Sequence, residues 1–372
     1  MIVLGAGFGG LEVASVLSGE MGAEADVTLI DGNDGFTFGF AKLEVLVGRA
    51  GVDEVRSPYR DLARPGVRFL RETVTAIDPR QRRVTTDAGE HEAELLVVAL
   101  GAEYDLDATP GLGRLGSEFY SVAGAERLSR ALPEFTAGRA VIGICGAPYK
   151  CPPAPSEAAL LLDEYLRQRG CRDACSITFV CPSPIPVTSS PEASRALLER
   201  FAQRGVEFVG GRRVASLDAS RHVAVLDNGD EVGFDLFLGV PRHRAPRVAE
   251  PLGLAGDGFV GVDPDTLQTQ FPGVYAIGDM VSLPVPKAGM LAEGQGRVVA
   301  AALLSLMRGD PPPPPYRGSG SCYIEFGGGE VARVDVDFSG PQPRGTYNQP
   351  SAALAADKHE FGSSRLARWF GS

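Results

Sequence analysis

One cysteine stands in a sequence context that suits nucleophilic or redox chemistry. Cys151 precedes a proline-rich turn, and a helix predicted over Ser156 to Arg169 begins shortly afterwards, with Glu157 in its first turn. The partial positive charge of a helix N-terminus lowers the pKa of a nearby thiol, so we expect a thiolate at neutral pH. Glu157 could move protons beside it. The alternatives are a buried structural thiol and an acid that only stabilises the helix dipole.

The first residues contain a glycine pattern that suits a bound dinucleotide. A short apolar run leads into a turn with Gly5, Gly7 and Gly10, a predicted helix follows, and a second apolar run ends at Asp31. Gly5 makes the tight turn, Gly7 lets the backbone approach a pyrophosphate, and Gly10 lets the helix pack on the strand. Asp31 is placed to accept hydrogen bonds from a ribose. This order favours a dinucleotide site over a glycine-rich turn without a ligand.

Two later segments also run from an apolar strand into a glycine turn. Leu95 to Leu100 is followed by Gly101, and a further strand ends at Gly278 and Asp279. With the first turn, these segments resemble the flavoproteins with two dinucleotide-binding domains, the glutathione-reductase-like superfamily. The resemblance implies FAD as the cofactor, with Asp279 bonded to its ribityl chain. A helix from about Gly289 would then direct its positive end at the flavin ring.

The middle of the chain lacks the glycine spacing of a nicotinamide nucleotide site. Its first strand, Ala140 to Ile144, leads into a turn with Tyr149 and several prolines, and proline offers no N–H to a phosphate. Its second strand ends at Cys181 and Pro182, without an acid for a ribose or an arginine for a 2′-phosphate. We expect nicotinamide binding to be lost, and a divergent working NAD(P)H site is the alternative.

The segment Tyr149 to Glu157 resembles the one that carries a redox cysteine in sulfide:quinone oxidoreductases and flavocytochrome c sulfide dehydrogenases. Ser321 to Gly327 is similar to the segment around their second cysteine, which is Cys322 here. Pro286 to Met290 is similar to a stretch of these enzymes near the cofactor, which indicates that Lys287 contributes to cofactor binding.

The resemblance implies a pair of cysteines that works with the flavin. Cys151 and Cys322 would form a disulfide or polysulfide bridge, sulfide would attack one sulfur to leave a persulfide, and two electrons would pass to FAD. The substrate is then sulfide or a related sulfur compound, and a quinone or another acceptor receives the electrons. For Cys322 the alternative is again a structural thiol.

The fold class predicted from these patterns is α/β, with two Rossmann-like domains. An FAD-binding domain is expected over 1–110 and 246–310, and a second domain with a degenerate nucleotide turn is inserted over 111–245. The five prolines at 311–315 predict a stiff connector. A small α+β region is expected over 316–372.

Composition argues against several other functions. The 372-residue chain has a net charge of −11, so it has no general electrostatic reason to bind nucleic acid. No apolar stretch approaches the roughly 20 residues that span a bilayer, and a first strand at the start of the chain leaves no room for a signal peptide. A cytoplasmic location is therefore expected. Cys171 and Cys175 lack the partners of a metal site, so no metal is expected. No cysteine precedes Cys145, so FAD should be bound non-covalently.

Two other functions stay open. One is an NAD(P)H-dependent flavin reductase, such as a type II NADH:quinone or ferredoxin reductase-like enzyme, and the other is a non-catalytic flavoprotein subunit or redox sensor. In the C-terminal segment, Trp369 and Phe370 lie beside Lys358, Arg365 and Arg368. These residues either contact the inner face of the cell membrane or dock on the protein's own surface. A homo-oligomer is compatible with the sequence.

Overall fold

The computed structural model describes residues 1–115, 118–340 and 342–371. Its helices, numbered in chain order, are α1 (Phe8–Met21), α2 (Ala41–Leu46), α3 (Leu112–Leu115), α4 (Val122–Ala131), α5 (Ala154–Gln168), α6 (Pro191–Arg204), α7 (Gly289–Arg308) and α8 (Ala352–Phe370).

A parallel sheet of five strands contains both ends of the predicted FAD-binding domain. Its strands, in spatial order, are Val274–Ala276, Leu96–Val98, Ile2–Leu4, Val27–Asp31 and Val67–Arg71. The central strands are buried on both faces, as in other parallel sheets that helices cover. Because parallel strands end at the same edge, the glycine turns that follow three of these strands lie at one edge of the sheet.

A second parallel sheet belongs to the middle of the chain. Its strands, in spatial order, are Val206–Gly210, Cys175–Cys181, Gly138–Ile144 and Leu236–Val240. Helices α4, α5 and α6 pack with this sheet in the largest hydrophobic cluster of the described residues, which the C-terminal sheet also joins. The loop between Ile144 and α5 carries Cys151, so this sheet positions the first cysteine.

The remaining strands are short or antiparallel. Three-stranded antiparallel sheets are formed by Val74–Asp78, Arg83–Thr86 and Glu90–Glu92; by Val214–Asp218, Val223–Leu226 and Glu231–Gly233; and by Ser319–Glu325, Val331–Asp337 and Arg344–Ser351. Two-stranded pairs join Gly35–Thr37 to Arg56–Pro58, Glu103–Asp105 to Arg242–Arg244, and Val260–Gly261 to Val281–Ser282. The last three-stranded sheet carries Cys322.

The predicted α/β class is confirmed, whereas some element boundaries differ. The sequence placed the first helix after the glycine turn, whereas α1 begins at Phe8, inside that turn, because Gly9 and Gly10 already belong to the helix. Helix α5 begins at Ala154 and ends at Gln168, since a proline is tolerated in the first turn of a helix. Residues 311–315 lie outside helices and strands, as expected for a proline run. The division into three parts stays a prediction.

Helix α8 docks on the protein rather than projecting from it. Trp369 is 0% exposed and Phe370 6% exposed, within the cluster that also contains α1 and α7. Of the two alternatives for these side chains, the structure therefore supports docking on the protein's own surface, because buried rings cannot contact lipid. None of the helices described here is long and apolar enough to cross a bilayer.

Candidate active site

The first glycine turn is shaped for a close backbone approach. Gly5 has φ +93°, and a Cβ there would lie 2.4 Å from the Ala99 carbonyl oxygen. A Cβ on Gly10 would lie 1.9 Å from the Gly5 oxygen, so α1 could not pack on the first strand with a larger residue. In contrast, no atom lies within 4 Å of a Cβ built on Gly7, which leaves space in front of the helix for a phosphate group.

The first turn of α1 carries no anionic side chain of its own. The N-cap of this helix makes no side-chain hydrogen bond. One oxygen of Asp31 accepts the N–H of Ala6 at 2.8 Å and the other accepts the N–H of Asn33 at 2.8 Å. The carboxylate thus holds the glycine turn in place while it stays partly exposed at the sheet edge. This arrangement suits a pyrophosphate on the helix and a ribose at Asp31.

Asp279 has a buried carboxylate oxygen without a partner. Among the described residues, none donates a hydrogen bond to its Oδ1. Burial raises the pKa of this carboxyl, and three lysines oppose the shift, Lys150 most strongly, then Lys287 and Lys42. The preceding Gly278 has φ +84°, and its N–H donates to Gln295 of α7 at 2.6 Å. An unsatisfied acceptor at this position fits a ribityl hydroxyl, so the residues present fit FAD.

Gly101 and the start of α7 complete this edge of the sheet. Gly101 has φ +70° and no atom within 4 Å of its Cβ position. The first turn of α7 lacks acidic residues and its N-cap makes no side-chain bond. A Cβ on Gly289 would lie 2.6 Å from the Phe8 ring, so α1 and α7 begin close together. The two positive helix ends would face the phosphates and the flavin of bound FAD.

Cys151 is held by backbone contacts from the cofactor edge. Its N–H donates to the Lys287 carbonyl at 2.7 Å, and its own carbonyl accepts from Ala154 at 3.0 Å. Cys151 has φ +51°, which is uncommon for a residue other than glycine. The Lys287 side chain donates to the Val281 carbonyl at 2.8 Å and lies over the Phe259 ring. Lys287 therefore positions the cysteine, and its contact with the cofactor stays a prediction.

The expected low pKa of Cys151 is wrong. Burial raises the pKa of this thiol well above its ordinary value, the Glu157 and Cys322 charges raise it further, and only the Ala154 backbone N–H among its main influences lowers it. The first turn of α5 is itself buried, so loss of hydration outweighs the helix dipole. At neutral pH this thiol therefore keeps its proton unless other groups stabilise the thiolate.

The structure brings Cys322 close enough to Cys151 for its charge to act on that thiol. Both thiols are free. Burial and then Glu157 raise the pKa of Cys322 to about 12, and Lys358 opposes them. Cys322 and Pro152, the neighbour of Cys151, both line a pocket with about 400 Å³ of empty volume, partly open to solvent. The rest of its wall is mainly apolar, from Val187, Met290, Leu291, Ile324, Val334, Val336 and Phe338.

Glu157 joins helix α5 to the C-terminal sheet. Its carboxylate is 1% exposed and accepts the N–H of Glu325 at 3.0 Å. Burial raises the pKa of Glu157 to about 7, although Lys358 and the Glu325 N–H act in the opposite direction. Lys358 forms a buried ion pair with Glu325. Glu157 is therefore more than a first-turn acid, because its hydrogen bond goes to another element.

Several residues of this region were not predicted as site residues. Glu325 lies beside the predicted Cys322, and Lys358 lies on α8, which was interpreted only as a surface segment. Lys42 of α2 donates to the Tyr120 carbonyl at 3.0 Å. Burial and then Lys150 lower the pKa of Lys42 to about 7, against Glu118, Asp279 and Cys151. A lysine within the apolar stretch that follows Phe36 was the signal that could have revealed it.

Comparison with known proteins shows which family this chain belongs to. Residues 1–302 match the family model for pyridine nucleotide-disulphide oxidoreductases. The chain belongs to this family. Pyridine nucleotide-disulphide oxidoreductases of this type bind FAD, and the chain is an FAD-dependent oxidoreductase, as its motifs predict.

The relatives of this chain include sulfide:quinone oxidoreductases and NADH:quinone oxidoreductases. The mitochondrial sulfide:quinone oxidoreductase of Mus musculus is 27% identical over 365 residues, which cover 93% of this chain and 80% of the relative. The type II NADH:quinone oxidoreductase of Staphylococcus saprophyticus is 25% identical over 341 residues, with 84% and 83% covered. The solved sulfide:quinone oxidoreductase of Aquifex aeolicus has a TM-score of 0.88 and 22% identity over 100% of this chain and 91% of that chain. The predicted resemblance to sulfide:quinone oxidoreductases is confirmed.

Proposed function

We propose that this protein oxidises sulfide, or a closely related sulfur compound, and passes the electrons through FAD to a quinone. The observation that carries this proposal is the position of the two cysteines. Cys151 from the middle of the chain and Cys322 from the C-terminal sheet are both partly buried, and both lie close enough to Glu157 for its charge to raise the pKa of each thiol. The Cys151 N–H is bonded to Lys287, beside the sheet edge that fits FAD. Alignment with sulfide:quinone oxidoreductases over most of the chain supports the same function.

The cysteine pair supports thiol–disulfide chemistry. In the oxidised resting form a sulfur–sulfur bond joins Cys151 to Cys322. The sulfur of hydrosulfide attacks one of these sulfurs, a new sulfur–sulfur bond forms a persulfide, and the old bond breaks to leave the other cysteine as a thiolate. A second hydrosulfide or another thiolate then takes the outer sulfur of the persulfide, which frees that cysteine as a thiolate. When bound, FAD would supply the two-electron acceptor as the two cysteines re-form their sulfur–sulfur bond, and a quinone would accept the electrons from the reduced flavin. The pocket beside Cys322 is mainly apolar, so it offers few polar groups that would hold water near the persulfide.

Glu157 supplies the proton-accepting group that a neutral sulfide needs. With a pKa of about 7 it exists in both protonation states near neutral pH, which is the condition for efficient proton exchange. The Glu325 N–H fixes one oxygen, and the Lys358–Glu325 pair lies next to it. This arrangement provides a short chain of ionisable groups between the cysteine pair and α8.

An NAD(P)H:quinone oxidoreductase is the second candidate, because relatives of that kind align over much of the chain. The geometry of the middle sheet disfavours a bound nicotinamide nucleotide. Residues Ala154 to Glu157, at the start of α5, are all buried, so the helix end that would hold a pyrophosphate is covered. The adjacent strand ends at Cys181, which is also buried, and no acid stands there for a ribose.

The place where the protein meets its quinone is also part of the proposal. A quinone is a lipid-soluble partner, so the protein would work at the inner face of the membrane without crossing it. Since Trp369 and Phe370 are buried, such a contact would use other residues of the surface. A homo-oligomer also stays a prediction.

Anaerobic stopped-flow measurement of flavin absorbance tests the proposed function. Sulfide at micromolar concentration should bleach the flavin of the wild type, and NADH should not. Cys151→Ser and Cys322→Ser should each abolish this bleaching, whereas Cys171→Ser, in the turn after α5, should react like the wild type. Rapid bleaching by NADH with no response to sulfide would overturn the proposal and establish the second candidate.

A further inference from the structure

The C-terminal sheet forms one wall of the pocket beside Cys322. In the antiparallel ladder of this sheet Cys322 lies directly opposite Val334, and Gly320 lies opposite Val336. Because side chains alternate between the two faces of a strand, Cys322, Ile324, Val334 and Val336 share one face, and all four line the pocket. Val334 is therefore a direct neighbour of the Cys322 thiol across the ladder.

The charged residues of the same sheet lie on its opposite face. Arg333 and Asp335 alternate with the valines along the strand Val331–Asp337. Arg333 forms ion pairs with Asp335 at 3.2 Å and with Asp357 of α8 at 2.8 Å. The alternation of apolar and charged residues in this strand thus leaves only uncharged side chains of the sheet on the pocket face.

The other walls of the pocket add no charge. They come from the loop before α5, the segment before α6 and the start of α7. Among the described residues that line the pocket, Cys322 is the only one that can ionise, and Ser189 is the only one with a side-chain hydroxyl or amide group. An anionic ligand would lose its hydration in this pocket without gaining a cation in return.

The charges that act on the Cys322 thiol do not favour an anion either. Burial and then Glu157 raise its pKa, so the nearest charge that acts in this direction is a carboxylate. Lys358 acts in the opposite direction, but its ammonium group is paired with Glu325. A molecule that reaches Cys322 through the pocket therefore meets apolar walls and a compensated cation.

We propose that this pocket binds an uncharged thiol with a small apolar group, and that this thiol accepts the outer sulfur of a persulfide on Cys322. Cys322 is chosen because it lines the pocket, whereas Cys151 contributes only through its neighbour Pro152. The persulfide rests on the proposed function. The preference of the pocket for uncharged, apolar groups does not.

The transfer of sulfur balances without an added oxidant. The sulfur of the incoming thiol bonds to the outer sulfur of the persulfide, and the bond between that outer sulfur and Cys322 breaks. The proton of the incoming thiol passes to the released Cys322 sulfur, which holds it firmly because the pKa of this thiol is about 12. One sulfur–sulfur bond replaces another, so no electrons are gained or lost in this step.

Maleimides with alkyl chains of increasing length test the pocket without any turnover. The reduced, FAD-loaded protein is treated with N-ethyl-, N-propyl- and N-butylmaleimide and with a maleimide whose propyl chain ends in a carboxylate. Mass spectrometry follows the peptide that contains Cys322. Its modification rate should rise about fourfold for each added methylene group, and the carboxylate probe should be the slowest. Cys171 in the same sample is the internal control, because this partly buried thiol is not among the lining residues and should show no dependence on chain length.

Met290→Lys places a cation in the wall of the pocket. This variant should lose the dependence on chain length and react fastest with the carboxylate probe. Met307→Lys, an exposed position near the end of the same helix, is the matched control and should react like the wild type. Thermal unfolding and flavin content establish that both variants are folded, and the series on the wild type decides the question without them.

Turnover with sulfide and a soluble quinone tests the sulfur acceptor. The kcat/KM for 1-butanethiol should exceed that for glutathione or sulfite by about tenfold or more. Faster transfer to glutathione or sulfite would overturn the proposed acceptor and leave the proposed function intact. Equal maleimide rates at all chain lengths in the wild type would also overturn the proposal. A clear dependence on chain length without flavin reduction by sulfide would refute the proposed function and the sulfur transfer, and would retain only the apolar ligand site.

Discussion

Burial of Glu157 makes the stability of the fold depend on pH near neutrality. Below about pH 4.5 Glu157 is protonated in both the folded and the unfolded chain, so it contributes no pH dependence. Between pH 4.5 and its native pKa of about 7, the unfolded chain loses this proton first, and the stability of the fold decreases as the pH rises. Above pH 7 the whole penalty is present.

Glu157→Gln should therefore stabilise the protein at pH 8 and not at pH 4.5. The shift in pKa corresponds to a gain of about 3 kcal/mol at alkaline pH, because glutamine keeps the acceptor for Glu325 and avoids the buried charge. Urea unfolding at the two pH values measures it. Glu192→Gln, at an exposed position in the first turn of α6, should show no such dependence. A variant that loses stability at pH 8 would show that the ionised carboxylate is needed for the fold.

Asp279 offers a prediction about cofactor affinity. Its buried, unpartnered oxygen is placed to accept a hydrogen bond from FAD, and hydrogen bonds to charged groups are stronger than neutral ones. Asp279→Ala should weaken FAD binding by about ten- to a hundredfold. Fluorescence titration of the apoprotein with FAD measures the affinity directly. Asp310→Ala, at an exposed position just after α7, is the control, and equal affinities of both variants would remove Asp279 from the cofactor site.

At the scale of elements, α8 is joined to α1 and α7 by buried charges. Glu12 of α1 and Glu293 of α7 are each 1% exposed. Arg368 of α8 contacts Glu12 at 2.7 Å and Glu293 at 2.6 Å, and Arg365 contacts Glu293 at 2.7 Å. The Trp369 indole N–H also donates to Glu12. The two carboxylates thus gain partners from α8 that α1 and α7 alone do not supply.

Arg368→Met should lower the free energy of unfolding by about 2 kcal/mol. Removing one partner of a buried carboxylate leaves its charge less compensated, while Arg297 and Arg365 limit the loss. Urea unfolding gives the magnitude, and limited proteolysis should release α8 earlier than in the wild type. Arg195→Met, an exposed arginine on α6, is the control. Unfolding midpoints that match for both variants would mean that apolar packing alone holds α8.

At the scale of the whole molecule, the cofactor edge collects charges from distant parts of the chain. Lys42, Lys150 and Lys287 act on Asp279, and each comes from a different segment. Pro286, Ala288 and Leu291 line both the pocket beside Cys322 and a second pocket beside Asp279. Binding of FAD should therefore stabilise the chain as one unit.

Removal of FAD should lower the thermal stability of the entire protein. Because the cofactor binds only the folded state, adding it back at about 100 times its dissociation constant should restore about 2.7 kcal/mol. Scanning calorimetry against FAD concentration follows the shift. A single transition that moves with FAD agrees with the expectation, whereas a second transition insensitive to FAD would show that the C-terminal region or the middle sheet unfolds by itself.

The sequence alone determined the features that depend on neighbouring residues. The glycine turn of Gly5, Gly7 and Gly10 requires a positive φ, a close packing and an open backbone at fixed spacing, so three positions define it. The Gly278–Asp279 turn and the alternation of strands and helices are local in the same sense. From these, the α/β class, the FAD cofactor and the family were predictable.

Only the tertiary structure decided which distant residues meet and what burial does to their charges. The family resemblance predicted Cys151, Glu157 and Cys322 together, whereas Lys42, Glu325 and Lys358 joined them only through packing of α2, α8 and the C-terminal sheet. The direction of the Cys151 pKa shift was wrong for the same reason. A helix dipole can be inferred from the residues that follow a cysteine, but desolvation depends on every element that covers it.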